Sequence, residues 1–149
     1  MGFRVEFDVI GNPKGQPRVR AIAFGGKARV HNPATADDWK ALVAIEARKH
    51  LPERPLTGPV RVDLLFRFRR PRHHYRTGKK SDIIKANAPS WHTSKPDRDN
   101  LEKAVLDVLT DIGMLADDSI VCEGKNIKVY ADEMNKPGAT VYIAEIEPL

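Results

Sequence analysis

The residues best suited to chemistry lie in one short stretch, residues 95–103, which reads Lys-Pro-Asp-Arg-Asp-Asn-Leu-Glu-Lys. Asp97 and Asp99 are two residues apart. Pro96 disfavours helix at the residue before it, so the first aspartate should lie on the approach to a helix and the second in its first turn. Two carboxylates at this spacing can point at one cation, and Mg²⁺ prefers oxygen ligands of this kind. Because phosphodiester hydrolysis uses a metal ion as Lewis acid and activator of water, the stretch predicts part of a hydrolytic magnesium site.

A helix cap is the competing interpretation of these acids. Asp99 and Glu102 have the spacing of a capping box, and two-aspartate motifs also occur in glycosyltransferases and calcium loops. A cap does not account for Asp97, or for the acidic pair Asp117 and Asp118 beyond the end of the predicted helix. A third metal ligand comes from this pair if the loop after the helix folds back along it. The residue pattern leaves open which of the two aspartates that is.

Lys103 lies four residues after Asp99, on the same helix face and away from the apolar stripe. A lysine in this position often forms only a solvated i, i+4 ion pair. In the functional interpretation, its ammonium lies near the scissile phosphate and stabilises the negative charge that develops there. The two interpretations predict different effects of removing the side chain.

Length and composition are those of one soluble globular domain. The chain has 149 residues, of which 41% are hydrophobic and 30% charged. No apolar run approaches the roughly 20 residues that span a bilayer, and charged residues interrupt the N-terminal apolar stretch. The single cysteine, Cys122, excludes an internal disulfide and suits a reducing cytoplasm, where we expect the protein to act. We expect this side chain to be buried or half-buried.

The net charge of +5 and its distribution favour a polyanionic partner. Residues 67–85 contain eight Lys or Arg against one acid, and residues 97–123 contain eight acids against two bases. A nuclease needs both, cations for phosphates and carboxylates for a metal, although neutralisation between two surface segments is the plainer alternative. The predicted DNA-binding residues are Lys14, Arg18, Arg20, Arg69, Arg70, Arg72, Arg76, Lys79, Lys80, Lys95 and Arg98.

Apolar periodicity predicts one α+β domain with a mixed or antiparallel sheet packed with two main helices. Strands are expected at residues 3–9, 60–68, 120–130 and 140–147, with a hairpin of 21–24 and 28–31. The first helix should begin at Asn32-Pro33 and end near His50, with core candidates Trp39, Leu42, Val43 and Ile45. The second should end at Gly113, with an apolar stripe of Leu101, Ala104, Val105, Val108, Leu109 and Ile112. Residues 70–95 lack periodicity and are predicted to be a mobile basic loop that orders on DNA.

From Lys95 to Val121 the chain reads K-P-D-R-D-N-L-E-K-A-V-L-D-V-L-T, then D-I-G-M-L-A-D-D-S-I-V. This run resembles the signature of the RusA family of crossover-junction endodeoxyribonucleases, and the strand order and the N-terminal loop agree more loosely. The resemblance implies a homodimeric, magnesium-dependent resolvase, often phage- or prophage-encoded, that makes paired nicks at four-way DNA junctions. Mn²⁺ is an expected substitute for Mg²⁺.

By the same resemblance, the catalytic and metal-binding aspartates are Asp97, Asp99 and Asp118, with Asp117 as an alternative ligand, and the essential lysine is Lys103. A two-fold dimer would place one active site at each of the two strands to be cut. The basic loop is longer than in the shortest family members, so its DNA contacts do not follow from the resemblance. Two alternatives remain: a metal nuclease of another class, such as PD-(D/E)xK, and a DNA-binding module without catalysis.

Overall fold

The computed structural model describes residues 2–17, 20–24, 27–31 and 36–149, and of residues 20–24 and 27–31 it describes the backbone alone. The strands are β1 (Arg4–Ile10), β2 (Arg20–Phe24), β3 (Lys27–His31), β4 (Val60–Phe68), β5 (Val121–Glu123), β6 (Asn126–Tyr130) and β7 (Gly138–Glu145). The helices are α1 (Asp37–Arg48) and α2 (Arg98–Asp111), with short 3-10 turns at Arg72–His74, Gly78–Lys80 and Asp118–Ile120.

A five-stranded mixed sheet with two helices confirms the predicted α+β class. β4 lies at its centre, antiparallel to β7 on one side and parallel to β5 and then β6 on the other, while β1 pairs with β7. Alternate residues of β4 are buried in one hydrophobic core with residues of both helices. The predicted α2 stripe is confirmed: Leu101, Val105 and Leu109 are fully buried in that core. This packing fixes α2, and with it the acidic stretch, against the sheet.

The long strand predicted over residues 120–130 is wrong, because it is interrupted between β5 and β6. Gly124 lies at the interruption with φ of 156°, and a Cβ atom there would collide with the carbonyl oxygen of Val62. Only glycine allows so close an approach of two backbones. Cys122, in β5, is exposed, so its predicted burial is wrong.

Two of the four core candidates in α1 are wrong as well. Trp39 and Val43 are buried, but Leu42 and Ile45 are 38% and 55% exposed. Trp39, Val43 and Ala47 follow an i, i+4, i+8 spacing and occupy the core face, which turns the other two side chains toward solvent. The predicted start at Asn32-Pro33 lies outside the described residues, and the helix as described follows Ala36.

The basic loop contains local backbone pairing that the lack of apolar periodicity does not reveal, while its predicted mobility and its ordering on DNA stay predictions. Its two arms pair like a short hairpin through an isolated bridge between Tyr75 and Ile84. The amide of Arg76 donates to the carbonyl of Ile83, and that of Lys85 to His74, both at 2.8 Å. The rest of the loop runs back along β6, with a bridge between Trp91 and Val129. Sequence periodicity misses such a segment because its pairing spans only a few residues.

The predicted hairpin is confirmed, with β2 and β3 antiparallel. In the described part of the chain, no helix has both the length and the apolar character needed to cross a membrane.

Candidate active site

The acidic stretch lies at the start of α2, as predicted, but its cap differs from the capping-box interpretation. The helix begins at Arg98 with Asp97 as the N-cap residue, and the Asp97 side chain makes no capping hydrogen bond. Asp99 is therefore inside the first turn and is not the cap. Its Oδ1 accepts the backbone N–H of Asn100 at 2.9 Å. Capping therefore does not account for the side chain of Asp97, whereas that of Asp99 binds an amide of the first turn.

Lys103 is held between two carboxylates. Its Nζ donates to Oδ1 of Asp107 at 2.6 Å, one turn further along α2, and to Oδ2 of Asp118 at 3.1 Å. The hydrogen bond to Asp107, and then that to Asp118, raise the pKa of Lys103 above its ordinary value. The side chain is half exposed, so the ammonium is both fixed in place and open to a substrate.

The two neighbouring aspartates after α2 have different partners. Asp117 is the N-cap of the 3-10 turn and accepts the backbone N–H of Ser119 at 3.0 Å. Hydrogen bonding by the side chain of Ser119, and then by its backbone N–H, lowers the pKa of Asp117. Asp118 faces Lys103 instead. The geometry therefore favours Asp118 over Asp117 as the aspartate that acts with the lysine, a choice that the residue pattern left open.

A chain of contacts joins this lysine to distant parts of the sequence. The amide of Gln16 donates to the carbonyl of Asn100 at 2.8 Å, which binds the N-terminal loop to the first turn of α2. Nζ of Lys40 donates to Oε1 of Gln16 at 2.9 Å and lies 3.9 Å from Oδ2 of Asp107. We call the series Gln16–Lys40–Asp107–Lys103–Asp118 the lysine–aspartate network. Sequence reasoning missed Gln16 and Lys40, while the i, i+4 spacing on α2 is the signal for Asp107.

β6 supports the other side of the helix start. Nδ2 of Asn126 donates to the carbonyl of Arg98 at 2.9 Å, and Nζ of Lys128 donates to the carbonyl of Ser94 at 2.6 Å. Burial lowers the pKa of Lys128, and the negative charge of Asp97 opposes that change. Lys128 is therefore a second cation beside the acidic stretch, and no local pattern in the sequence indicates it.

The structure does not bring the predicted metal-binding aspartates into one cluster. Among the residues that it describes, no three Asp, Glu, His or Cys side chains are arranged to hold a metal ion. Asp118 is paired with Lys103, Asp97 lies on the side of α2 next to Lys128, and Asp99 accepts its neighbour's amide. The shared metal site remains a prediction.

The predicted DNA-binding residues occupy several places. Lys14 lies half-buried in the N-terminal loop, Lys95 and Arg98 are exposed on either side of Asp97, and Arg69 is exposed at the end of β4. Arg18 and the side chain of Arg20 lie outside the described residues. Of the predicted DNA-binding residues within the loop, those exposed are Arg72, Arg76, Lys79 and Lys80.

Arg70 differs from these exposed bases because its guanidinium anchors the loop. It donates to the carbonyls of Ala131 at 2.9 Å and Pro89 at 2.7 Å, and lies 3.2 Å from Nδ1 of His74. It also lies over the ring of Tyr130, 5.3 Å from the centroid. Its predicted phosphate contact stays a prediction, and the structure gives it a further role in fixing the loop.

Comparison with known proteins identifies the family. The model of the family described as Endodeoxyribonuclease RusA matches residues 11–144, nearly the whole chain. The chain belongs to the RusA family. Its endodeoxyribonuclease activity follows at the level of the family, as a hydrolase of DNA phosphodiesters. The chain is also 35% identical over 142 residues to the uncharacterized protein YqaN of Bacillus subtilis strain 168, covering 95% of this chain and 96% of that protein. The RusA match includes every predicted catalytic residue and the whole basic loop.

Proposed function

We propose that this protein is a homodimeric, Mg²⁺-dependent Holliday junction resolvase, which cuts four-way DNA by paired nicks in strands of opposite arms. The observation that carries the proposal is the RusA family match over residues 11–144, which includes the acidic stretch, Lys103 and Asp118. A dimer with two-fold symmetry suits a substrate that must be cut twice. The proposal places the protein in the cytoplasm of a bacterial host, as the product of a host, phage or prophage gene.

The donor set fits a hard divalent cation, because every candidate ligand is a carboxylate oxygen. Asp97, Asp99 and Asp118 would hold Mg²⁺, or Mn²⁺ in its place, with Asp117 kept at the 3-10 turn by its bond to Ser119. A bound metal would supply Lewis acidity at the phosphate and lower the pKa of a water molecule.

Lys103 supplies positive charge that does not depend on the metal. Its ammonium is fixed by Asp107, one turn further along α2, and by Asp118 from the 3-10 turn. A preorganised cation stabilises charge that develops on a phosphate without having to reorganise during the reaction. Asp107 acts as a positioning residue, since it orients the ammonium and lies outside the acidic stretch.

The decisive experiment compares a synthetic four-way junction with a linear duplex of the same sequence, each incubated with the protein and Mg²⁺. We expect symmetric nicks in the junction, little cutting of the duplex, and no cutting when EDTA removes the metal. Equal cutting of both substrates would indicate a general nuclease. Binding without metal-dependent cutting would indicate a DNA-binding module.

The basic loop should bind phosphates and make affinity depend on salt. Replacing Arg72, Lys79 and Lys80 together by alanine should weaken junction binding and flatten the slope of log K against log salt concentration, because fewer counterions are released. Arg70 is left in place, since its loss would also disturb the anchor of the loop.

The control removes the same charge elsewhere. Arg48, Lys49 and Arg54 are exposed at and beyond the end of α1, and the triple alanine variant of these residues lowers the net charge equally. If both variants have the wild-type slope, or both change it to the same extent, the loop has no specific part in binding DNA.

A further inference from the structure

The hairpin-like part of the basic loop forms a half-open cavity of about 780 Å³. Its walls are Arg72, His73, Tyr75, Arg76, Thr77, Gly78, Ser81 and Lys85. Three of these residues are cations, four carry a neutral hydrogen-bonding group, and none is an acid. A cavity of this size is in the range that accommodates a small organic ligand rather than a lone ion.

The cations of the cavity come from both arms of the loop. Arg76 follows Tyr75 on the first arm and Lys85 follows Ile84 on the second, next to the bridge that pairs the arms. The hydrogen bonds of their own backbone amides to Ile83 and His74 fix both positions. Backbone pairing therefore places two residues with positive side chains at one cavity.

These cations are not neutralised within the described part of the chain. Arg72, Arg76 and Lys85 form no ion pair there, although acids are paired with Lys40, Lys49, Arg61, Arg67 and Lys103 elsewhere. The one acid of the loop, Asp82, is not among the residues of the cavity wall. Bringing like charges together without a counterion is unfavourable, so the arrangement fits an anionic ligand.

The base of the loop is fixed to the sheet. The buried ring of His74 packs edge-on against Tyr130, with centroids 4.7 Å apart, and Arg70 ties the same region to the carbonyls of Ala131 and Pro89. The cavity is thus held at a set distance from β6, whose Lys128 lies beside Asp97. A DNA strand at the active site has a defined second point of contact.

We propose that this cavity is a phosphate-binding site that takes one backbone phosphate, with its sugar, from a DNA arm away from the bond that is cut. Cationic side chains with hydroxyl and ring N–H donors match the oxygens of a phosphodiester. The proposal rests on the proposed function, because it assumes DNA at the acidic stretch. In this proposal the loop fixes the distance between the bound phosphate and the active site. That distance determines which arms of the junction lie at the active site when the strands are nicked.

The test compares two double variants of one loop with equal loss of charge. Arg76→Ala/Lys85→Ala removes cations of the cavity, and Lys79→Ala/Lys80→Ala removes exposed cations that do not line it. Binding is measured with Ca²⁺ in place of Mg²⁺, on junctions in which single phosphates are replaced by neutral methylphosphonates. Circular dichroism and the melting temperature must match wild type for both variants.

With the wild-type protein, we expect a neutral linkage at one or two positions outside the cleavage site to weaken binding by about tenfold, the scale of a lost charge-assisted contact. The cavity variant should be insensitive to the same linkages, and the Lys79/Lys80 variant should remain sensitive. The inference is overturned if the cavity variant keeps the wild-type sensitivity, or if no linkage outside the cleavage site matters to the wild-type protein.

A second experiment distinguishes binding of a DNA backbone phosphate from binding of free inorganic phosphate. Inorganic phosphate is titrated at constant ionic strength while the imidazole resonances of His73 and His74 are followed by NMR. We expect no saturable shift at millimolar phosphate. Saturable binding of inorganic phosphate without coupling to any DNA linkage would make the cavity a free-anion site and overturn the backbone assignment. Neither result depends on cleavage, so failure here is distinct from failure of the resolvase proposal.

Discussion

Asp97→Asn should lower the rate of junction cleavage by orders of magnitude while junction binding is retained or strengthened. Asparagine keeps the shape of the side chain but removes the charge that would hold the metal. Asp97 makes no side-chain capping bond, so α2 does not lose a cap in this variant. Removal of one negative charge also reduces repulsion of the DNA phosphates. Single-turnover cleavage and a binding assay with Ca²⁺ measure the two effects separately.

The matched control for this substitution is Asp111→Asn at the other end of the same helix, where the side chain is exposed. Like Asp97→Asn, this substitution removes one negative charge, and the variant should cleave at nearly the wild-type rate. If Asp97→Asn also turns over near the wild-type rate, with contaminating nuclease excluded, the metal assignment of this aspartate is wrong.

Lys103→Ala should lower the single-turnover rate by about 10²-fold or more, the scale for loss of one positioned donor to a developing anion. The fold and the affinity for magnesium should survive, because Lys103 is half exposed and is not a metal ligand. If the side chain were only a surface ion pair, its loss would cost about 0.3–0.5 kcal/mol of stability and leave the rate unchanged. A rate within about threefold of wild type would reject the catalytic role.

Two companion variants make the test of Lys103 sharper. Lys103→Arg should retain little of the wild-type activity, since a planar guanidinium does not replace a compact ammonium between two carboxylates. Lys49→Ala removes a lysine whose contact with Glu46 is a simple helix ion pair at 2.9 Å. It gives the baseline for the stability effect, and its cleavage rate should not change.

The parts of the fold that could be predicted are those governed by local periodicity. Alternation along β4 and the apolar stripe of α2 identify elements whose buried faces the structure confirms. Tertiary packing determines the rest. Ile45 is apolar but lies on the solvent side of α1, and Gly124 divides a strand because another strand's backbone passes close by.

The residues of the candidate site likewise fall into those that local spacing predicts and those that only tertiary contacts bring to the site. The aspartates and lysine of α2 follow from their spacing, and Asp107 is one turn from Lys103 on the same helix. Lys128 and Gln16 could not be predicted, because their contacts join residues separated by 34 and by more than 80 positions along the chain. Likewise, nothing near Arg70 in the sequence indicates that its guanidinium binds the carbonyl of Ala131.

The lysine–aspartate network also limits which part of this chain could be moved into another protein with its contacts intact. The signature segment carries Lys103, Asp107 and Asp118, yet Lys40 comes from α1 and Gln16 from the N-terminal loop. A graft of the segment onto an unrelated scaffold would bring the predicted catalytic residues without Lys40 beside Asp107 and without the Gln16 amide that binds Lys40. The portable unit is therefore the folded domain, including β1 and the N-terminal loop, and the signature segment alone would lack these outer contacts.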